Sequence, residues 1–469
     1  MEEEITPMIR TEIEKYLKQN GLTLTEFAHI IGLNVGTFSS IVTGNRSVSV
    51  NHLDRITAGM ELPPDYFYER YIEECIIESQ SLNWRKISPF LYRCAELGRL
   101  DFIQRVMSPL LDTSMYISLL FEMAEDLFQK GIYQEAAACL YENVAESEKK
   151  QHSERLAICQ YRIFTLQIGD DQSRNFRAAA VFEPYVERLG EIDQLNALKD
   201  LANVYRSLSQ WDKVYTFSKK MSQLGQIQYD LVHNSKRKEQ EPQKKLSRPL
   251  FVYIAYADLL CANACDAKGD HEQALEHIHG YTDLTWVKET DSDTLEWLGR
   301  FQQWAKINTY VNRLMSGDVS VLPAYVEHMT GEQYIFSELL NVIEAANQYN
   351  LDVDYILQRF EPQITAYQEP FSADITYQYL PEEYVRFWYK MAKYSLNKSR
   401  YSYGFKCLLN ALEKAATINN VLLTSNCSGL FDRFKAHAAP ETLDQYEKLS
   451  QEVWEKHDKK DGFLLDRSN

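Results

Sequence analysis

The chain has 469 residues, which exceeds the usual size of one compact domain, so it predicts several domains or a stack of repeats. Hydrophobic residues make up 45% of the chain, which excludes general disorder, and only 18 Gly and 13 Pro occur, which favours helices over turn-rich β architecture. The net charge of −17 argues against non-specific coating of nucleic acid and against an anionic membrane as the main partner.

We find no apolar run long enough to span a bilayer, and the acidic start, MEEEITPMIR, lacks the features of a secretory signal. We therefore expect a cytoplasmic protein with no membrane partner. The eight cysteines are scattered, at positions 75, 94, 139, 159, 261, 265, 407 and 427, and they form no CxxC or Cys/His cluster. Buried, reduced thiols are therefore expected rather than a metal site or disulfides.

Four short helices are predicted near the start of the chain. Apolar residues in 9–20 lie on one stripe, and Gly21 is placed to end that helix. Thr25 is predicted to cap a second helix and Asn34 a third, and a fourth follows near 51–59. Two short helices joined by a tight turn that contains glycine match the helix-turn-helix unit.

The run from Leu22 to Ile56 resembles the phage-repressor (Cro/C1, or XRE) type of helix-turn-helix. The matching residues are Ala28, Gly32, Asn34, Thr37, Ile41, Gly44, Asn45, Arg46, Leu53 and Ile56. The resemblance implies a DNA-binding domain over residues 1–64, with its third helix in the major groove of double-stranded operator DNA. The residues implied to meet base edges or phosphates are Asn34, Val35, Thr37, Ser39, Ser40, Asn45 and Arg46.

The charges of this segment leave an alternative open. The third helix contains no Arg or Lys for strong guanine contacts, and residues 1–70 are net acidic. In 34–55, however, Arg46, Arg55 and His52 stand against a single acid, Asp54. DNA binding is the preferred interpretation, and the alternative is a helix-turn-helix fold used for protein docking or dimerisation.

Residues 65–457 are predicted to form one helix after another, with small or apolar residues at recurring offsets. One set is Ala124, Leu127, Gly131, Ala136, Leu140 and Val144, and similar sets are Ala202, Tyr205, Trp211 and Val214; Ala262, Cys265, Gly269, Ala274, Ile278 and Tyr281; and Ala392, Tyr401, Gly404, Leu408 and Ala411. These sets resemble the tetratricopeptide repeat (TPR). The resemblance implies an all-α fold in which a right-handed superhelical stack of TPR-like helix pairs follows the helix-turn-helix domain and serves peptide binding and dimerisation.

Two polar segments punctuate the predicted stack. The stretch 234–249 carries six Lys or Arg and no apolar period, so it predicts a flexible charged loop. A solvated loop is the ordinary interpretation, and contact with DNA phosphates or a partner is the alternative. Residues 458–469 are predicted to be a polar C-terminal tail.

The repeat resemblance implies that one stripe on the first helix of each pair faces a concave groove. The residues predicted to contact a peptide there are Asn196, Lys199, Asn203, Arg206, Tyr256, Asn263, Asp266, Arg386, Tyr389 and Lys393. Asn203 and Asn263 occupy equivalent positions, and a primary amide can pair with both the N–H and the C=O of an extended peptide. Arg and Lys beside them could hold a carboxylate. The alternative is that these asparagines are solvated or bonded internally.

A helix-turn-helix domain followed by TPR-like repeats is similar in layout to the RRNPP group of peptide quorum-sensing regulators of Gram-positive bacteria and their phages. The resemblance implies a homodimeric cytoplasmic transcription regulator, switched by a short signalling peptide in the groove. No P-loop, nucleophile elbow or HExxH motif is present, so we expect no enzyme activity, no metal and no cofactor. The alternative function is a TPR scaffold or adaptor that binds another protein.

Overall fold

The structure is a computed structural model that describes residues 8–77, 82–149, 153–234, 246–329, 334–366 and 375–465, with side chains to residue 455. Within these residues the protein is all-helical and contains no β-strand, as the composition predicts. The chain divides into two compact units, Met1–Leu166 and Gln167–Asn469.

The first unit contains ten α-helices in its described residues. They are α1 (Ile9–Asn20), α2 (Leu24–Ile30), α3 (Val35–Val42), α4 (Val50–Gly59), α5 (Tyr68–Tyr71), α6 (Trp84–Glu96), α7 (Leu100–Leu111), α8 (Ser114–Lys130), α9 (Gln134–Ser147) and α10 (Glu154–Gln167). A π-helix, Ile72–Ile77, continues directly from α5.

The first four helices follow the apolar periodicity of the sequence. Phe27 and Phe38 are fully buried, and their rings lie 5.5 Å apart between α2 and α3. Helix α1 ends at Asn20, as predicted, because Gly21 adopts a left-handed backbone with φ of 66°. The expected cap of α2 was wrong by two residues: Thr23, not Thr25, caps it.

Thr23 and Glu26 explain that difference, because together they form a capping box. The Thr23 hydroxyl oxygen accepts from the Glu26 N–H at 3.2 Å, and the Glu26 carboxylate accepts from the Thr23 N–H at 2.8 Å. Thr25 already lies inside the helix, and the Phe27 N–H that it would cap is bonded to the Thr23 carbonyl at 3.1 Å.

The helices after residue 64 are integral to the same unit. Asp54 on α4 accepts a hydrogen bond from the Tyr68 hydroxyl at 2.9 Å and pairs with Arg93 on α6 at 2.8 Å. The Ile9 N–H donates to the Glu74 carboxylate at 2.8 Å. The compact unit therefore ends at Leu166, whereas the sequence placed a domain boundary after residue 64.

The second unit contains fourteen α-helices in its described residues. They are α11 (Gln172–Phe182), α12 (Glu191–Ser207), α13 (Trp211–Asn234), α14 (Leu250–Ala267), α15 (His271–Thr282), α16 (Ser292–Met315), α17 (Leu322–His328), α18 (Ile335–Tyr349), α19 (Asp354–Arg359), α20 (Glu361–Ala366), α21 (Leu380–Asn397), α22 (Tyr401–Thr417), α23 (Val421–Phe434) and α24 (Pro440–Leu465). Successive helices from α12 to α16 pack on one another, α18 packs on α21, and α21 on α22.

The recurring small and apolar residues lie at helix contacts in both units. Ala124, Leu140, Ala262 and Ala411 are all buried. A Cβ atom on Gly404 would lie 2.7 Å from the Leu396 side chain, so glycine lets α21 and α22 approach closely. Of the recurring positions, Gly131 and Gly269 are instead exposed just after α8 and α14, and Trp211 and Tyr401 are half-buried. The others are buried, as their apolar or small side chains predict.

Helix α14 is the exception to the expectation that no apolar segment could span a bilayer. In the described part of the chain it alone is long and apolar enough, with a mean hydropathy of 1.3. Its window is 72% buried inside the protein, which is typical of a core helix in a soluble protein. Its neighbours α13 and α15 supply the packing.

The two predicted polar segments have different outcomes. Most of the predicted loop at 234–249, residues 235–245, lies outside the described residues. The predicted tail at 458–469 begins inside α24, which continues to Leu465. The eight cysteines are free; seven are buried and Cys75 is half-buried, as expected for reduced thiols.

Candidate functional site

The first candidate site is the outward face of α3. The Asn34 side-chain oxygen accepts hydrogen bonds from the N–H groups of Gly36 at 2.9 Å and Thr37 at 3.3 Å, and this cap fixes where α3 begins. Phe38 and Ile41 anchor the opposite face in the core. Asn34 is therefore exposed at the start of α3, and the buried side chains on the opposite face fix the orientation of that helix.

The other predicted DNA-contacting residues lie on or beside that face. Val35, Thr37, Ser39 and Ser40 are half-buried, and Asn45 and Arg46 are exposed in the turn that follows. The Ser40 hydroxyl donates to the Gly36 carbonyl at 2.8 Å, and the Asn45 amide donates to the Thr43 hydroxyl at 3.2 Å. Small polar groups thus lie at both ends of α3, and in the described residues their side-chain hydrogen bonds stay within residues 34–46.

Three arginines give this region positive charge. Burial lowers the pKa of His52, and the nearby guanidinium groups of Arg46 and Arg55 lower it further. Arg55 also donates to the Gly32 carbonyl at 2.9 Å, and the Arg10 guanidinium lies against Gly44. Among the described residues, no carboxylate forms an ion pair with Arg10, Arg46 or Arg55.

Three of the acids that made the first 70 residues net negative are engaged in contacts within the described residues. Asp54 is paired with Arg93, Glu12 lies 3.8 Å from Arg70, and Glu26 completes the cap of α2. For these three acids, the sequence count overstates the unpaired negative charge of the segment.

A cavity of about 250 Å³ lies next to this region and was not predicted. Its lining includes Arg10, Ser47, Cys75 and Lys86. Burial raises the pKa of the Cys75 thiol to about 11. Lys86 lies on α6, beyond the predicted domain boundary, so the helix-turn-helix pattern had no means of including it.

The second candidate site lies in the second unit, where four predicted peptide-binding residues belong to one buried polar cluster. We call Asn203, Arg206, Tyr256 and Arg386 the inner cluster. Asn203 is fully buried, and its side-chain oxygen accepts from the Tyr256 hydroxyl at 2.6 Å. Its amide nitrogen is buried without a hydrogen-bond partner in the described residues.

Arg206 on α12 reaches the start of α21. Its guanidinium lies 3.7 Å from the centre of the Tyr379 ring and 3.5 Å from the Glu383 carboxylate. Glu383 also accepts from the Ser337 hydroxyl on α18. Burial raises the pKa of Tyr379, so its hydroxyl stays neutral beside the guanidinium.

Arg386 has a neighbouring acid of its own. It lies 3.2 Å from Glu382, one turn earlier on α21, and its Nε atom is buried without a hydrogen-bond partner. Burial raises the pKa of Glu382 to about 7, and the attraction of Arg386 only partly offsets this. Two arginines, two consecutive acids and an unsatisfied amide therefore share a poorly solvated space.

The remaining predicted peptide-binding residues have other surroundings. Asn196 accepts from the hydroxyls of Tyr253 and Ser247, and Lys199 pairs with Asp200 at 3.2 Å. These contacts tie both residues to neighbouring groups of the second unit.

Asp266 accepts from the Asn312 amide at 2.8 Å and lies 2.8 Å from the His271 ring, which places it in the contact between α14, α15 and α16. Tyr389 packs against the apolar cluster that involves α18 and α21. Asn263 and Lys393 are half-buried, and no described contact links them to Asn203.

Four further residues of the second candidate site were not predicted: Arg248, Tyr379, Glu382 and Glu383. Arg248 lies 4.9 Å from the centre of the Trp297 ring and 3.4 Å from the Thr376 hydroxyl. The pair Glu382-Glu383 at the start of a helix that buries both was the available signal, because buried consecutive acids require cationic partners.

The donor sets favour anions and polar backbone over metals. Within the described ranges, no three His, Cys, Asp or Glu side chains are placed to hold a metal ion. Arginine forks and amides instead suit carboxylates and peptide groups. No protein-family model matches the chain, and no curated protein matches it.

Proposed function

We propose that the chain is a transcription regulator that binds operator DNA through an XRE-type helix-turn-helix formed by α2 and α3. The observation that carries this proposal is the outward face of α3, capped by the exposed Asn34 and flanked by Arg10, Arg46 and Arg55, which form no ion pair with a described residue. Phosphate contacts position such a domain, and short polar side chains read the base edges.

The regulator acts as a homodimer in the cytoplasm and binds a two-part site. Two recognition helices occupy successive major grooves when the half-sites are about one helical turn, ~34–36 Å, apart. The overall net charge of −17 keeps non-specific binding weak, so that the local cationic region directs the contact.

Selection of binding sites from a randomised duplex DNA library, with the full chain as bait, tests this proposal. We expect enrichment of a two-part sequence and its loss with Arg46→Glu. Arg177→Glu, an exposed position on α11, changes the net charge equally and should leave enrichment intact. Failure to enrich any sequence would contradict DNA binding and favour the protein-adaptor alternative.

The ligand that we propose for the second unit is a short, extended peptide with an acidic group or a free C-terminal carboxylate. Support comes from the inner cluster, where Arg206 and Arg386 provide guanidinium groups and Asn203 has an amide without a partner. The ligand's acid replaces Glu382 or Glu383 beside an arginine, and peptide groups satisfy the amide.

Capture from a pool of short synthetic peptides, followed by mass spectrometry, tests peptide binding. Peptides with an acidic group should be enriched by the native chain and depleted by Arg206→Gln. Equal capture of amidated and free-acid peptides that lack acidic side chains would contradict the proposed role of the arginines.

A further inference from the structure

Two segments of the second unit that are distant in sequence meet directly. Residues 171–173, at the start of α11, contact residues 418–420, in the turn between α22 and α23; we call this contact the α11–α23 joint. The Gln172 N–H donates to the Ile418 carbonyl at 2.9 Å. This is a main-chain hydrogen bond between elements that share no helix.

Side chains complete the joint. The Ser173 hydroxyl donates to the Asn419 carbonyl at 3.2 Å, and the Asn419 amide donates to the Asp171 carboxylate at 3.0 Å, across 248 positions of sequence. The Asn420 amide donates to the Gln172 side-chain oxygen at 2.7 Å. Gln172 is only 5% exposed and Asn419 only 7%, so the joint is closed rather than loosely solvated.

The joint is held by polar groups. Ile418 packs with Val385, Ala415 and Leu423, which all belong to α21–α23 or their connections. In the described residues, that apolar cluster takes no side chain from α11. Hydrogen bonds can be exchanged for water with little net cost, whereas an apolar interface cannot, so a polar joint suits repeated opening.

The inner cluster, like the joint, connects a helix early in the sequence of the second unit with a helix late in it. Arg206 on α12 reaches Glu383 on α21. Asn203 is 0% exposed, Tyr256 6% and Glu382 4%. No ligand can contact the unpartnered Asn203 amide while these contacts are closed, because no solvent reaches it.

We propose that the α11–α23 joint is a reversible latch, and that its opening admits the ligand to the inner cluster. This inference rests on the proposed ligand site, because it assigns a route of entry to that site. The chain in its latched form keeps Arg206 and Arg386 paired with its own acids. A ligand competes for these arginines only in the unlatched form. Its apparent affinity is therefore the intrinsic affinity multiplied by the fraction of unlatched molecules.

A latch-weakened variant can be built without disturbing the helix caps. Asn419 has a left-handed backbone with φ of 53°, so Asn419→Gly removes the amide without strain. Asn420→Ser removes the donor to Gln172 and keeps a side-chain oxygen for the cap of α23. The matched control is Asn350→Gly, an exposed left-handed residue at the end of α18.

The rate of amide hydrogen exchange in the full-length chain measures how often the latch opens. Fragments that contain Gln172 should exchange ~tenfold faster in Asn419→Gly/Asn420→Ser than in the native chain or Asn350→Gly, because opening exposes the Gln172 N–H. Fragments that contain Asn203 should show the same ordering.

Thiol labelling reads access to the inner cluster without any ligand. Burial raises the pKa of all eight native thiols, so they react slowly. A cysteine introduced by Asn203→Cys, or by Arg206→Cys if the first variant unfolds, should react with a small methanethiosulfonate ~tenfold faster in the latch-weakened background.

Unchanged labelling of that cysteine, with faster exchange at Gln172, would overturn the inference, because the joint would open without admitting anything. Unchanged exchange at Gln172 would overturn it too. Neither readout involves a peptide. A chain that binds no peptide yet shows both effects would contradict the proposed ligand and leave the latch intact.

Discussion

The Tyr256 hydroxyl donates a 2.6 Å hydrogen bond to the side-chain oxygen of Asn203, and both residues are buried. This pair links α12 to α14. Its hydrogen bond uses the oxygen of the side-chain amide that the sequence predicted to bind a peptide. The amide nitrogen has no partner in the described residues. Asn203 is therefore part of the folded core and part of the candidate site at once.

We expect Tyr256→Phe to destabilise the protein by ~1–3 kcal/mol, because it leaves the Asn203 oxygen buried without its donor. Urea unfolding measures the change. Tyr355→Phe, at a residue 58% exposed, serves as the control and should change stability little. Equal stability of Tyr256→Phe and the native chain would mean that the pair contributes nothing.

Asn34→Ser separates helix capping from DNA contact. Serine caps helices about as well as asparagine, so the stability of the first unit should fall by less than ~0.5 kcal/mol, whereas Asn34→Ala should cost ~1 kcal/mol. Asn34→Ser should nevertheless weaken binding of the selected DNA by ~1–3 kcal/mol if the amide reads a base. Thermal unfolding and fluorescence anisotropy give the two numbers. Full affinity in Asn34→Ser would assign Asn34 to capping alone.

Arg10→Ala and Arg46→Ala should each reduce the slope of log K against log salt concentration by ~1, because each removes one phosphate contact. Titrations of the selected DNA at several salt concentrations measure this slope. Arg177→Ala on α11 is the control. A slope that stays the same in Arg10→Ala would exclude Arg10 from the interface.

Glu382→Gln should remove a pH dependence of stability. Burial raises the pKa of Glu382 from 4.5 to about 7, so the folded state favours the protonated acid. Its stabilising contribution is complete below pH 4.5 and is lost as the pH rises through 7. Relative to the native chain, Glu382→Gln should therefore gain stability between pH 5 and 8, by roughly 1–3 kcal/mol.

Urea unfolding at several pH values checks this expectation, with Glu327→Gln as the control, since Glu327 has a side chain 72% exposed. Arg386, Glu344, Glu383 and Arg206 all act on the Glu382 carboxylate. A native chain whose stability profile matches that of Glu382→Gln from pH 5 to 8 would show that Glu382 ionises normally.

Asp54→Asn should destabilise the first unit by ~1–3 kcal/mol, because Asp54 holds both Tyr68 and Arg93 against α4. Asp101→Asn, at an exposed ion pair with Arg99, is the matched control and should cost less than ~1 kcal/mol. The same contacts predict that a fragment ending at residue 64 unfolds at a lower temperature than one ending at residue 166.

Helix positions could be predicted from the sequence because they depend on local features. The apolar stripe of 9–20, the end at Gly21 and the cap at Asn34 all act within a few residues. The cap of α2 was missed because both Thr23 and Thr25 fit the pattern, and only the reciprocal contact with Glu26 distinguishes them. The small residues at helix contacts were found because close packing of two helices requires them at fixed offsets.

The candidate sites were predicted only in part, because each combines segments that are distant in sequence. The turn after α3 carried Arg46, but Arg10 and Lys86 come from α1 and α6 and join it through folding. The repeat pattern placed Asn203 and Arg206 on one face of α12. It carried no information on Glu383, which reaches that face from a helix about 180 positions later.

The two polar ends of the α11–α23 joint also cap the helices that they begin, Asp171 for α11 and Asn420 for α23. Asp171 also accepts from the Arg174 N–H at 2.9 Å, and Asn420 also accepts from the Leu423 N–H at 2.9 Å. Each cap therefore keeps its own helix intact when the cross-contact breaks. Opening of the proposed latch would therefore separate two capped helix ends without fraying either helix, and the same surfaces would stay ordered for re-association.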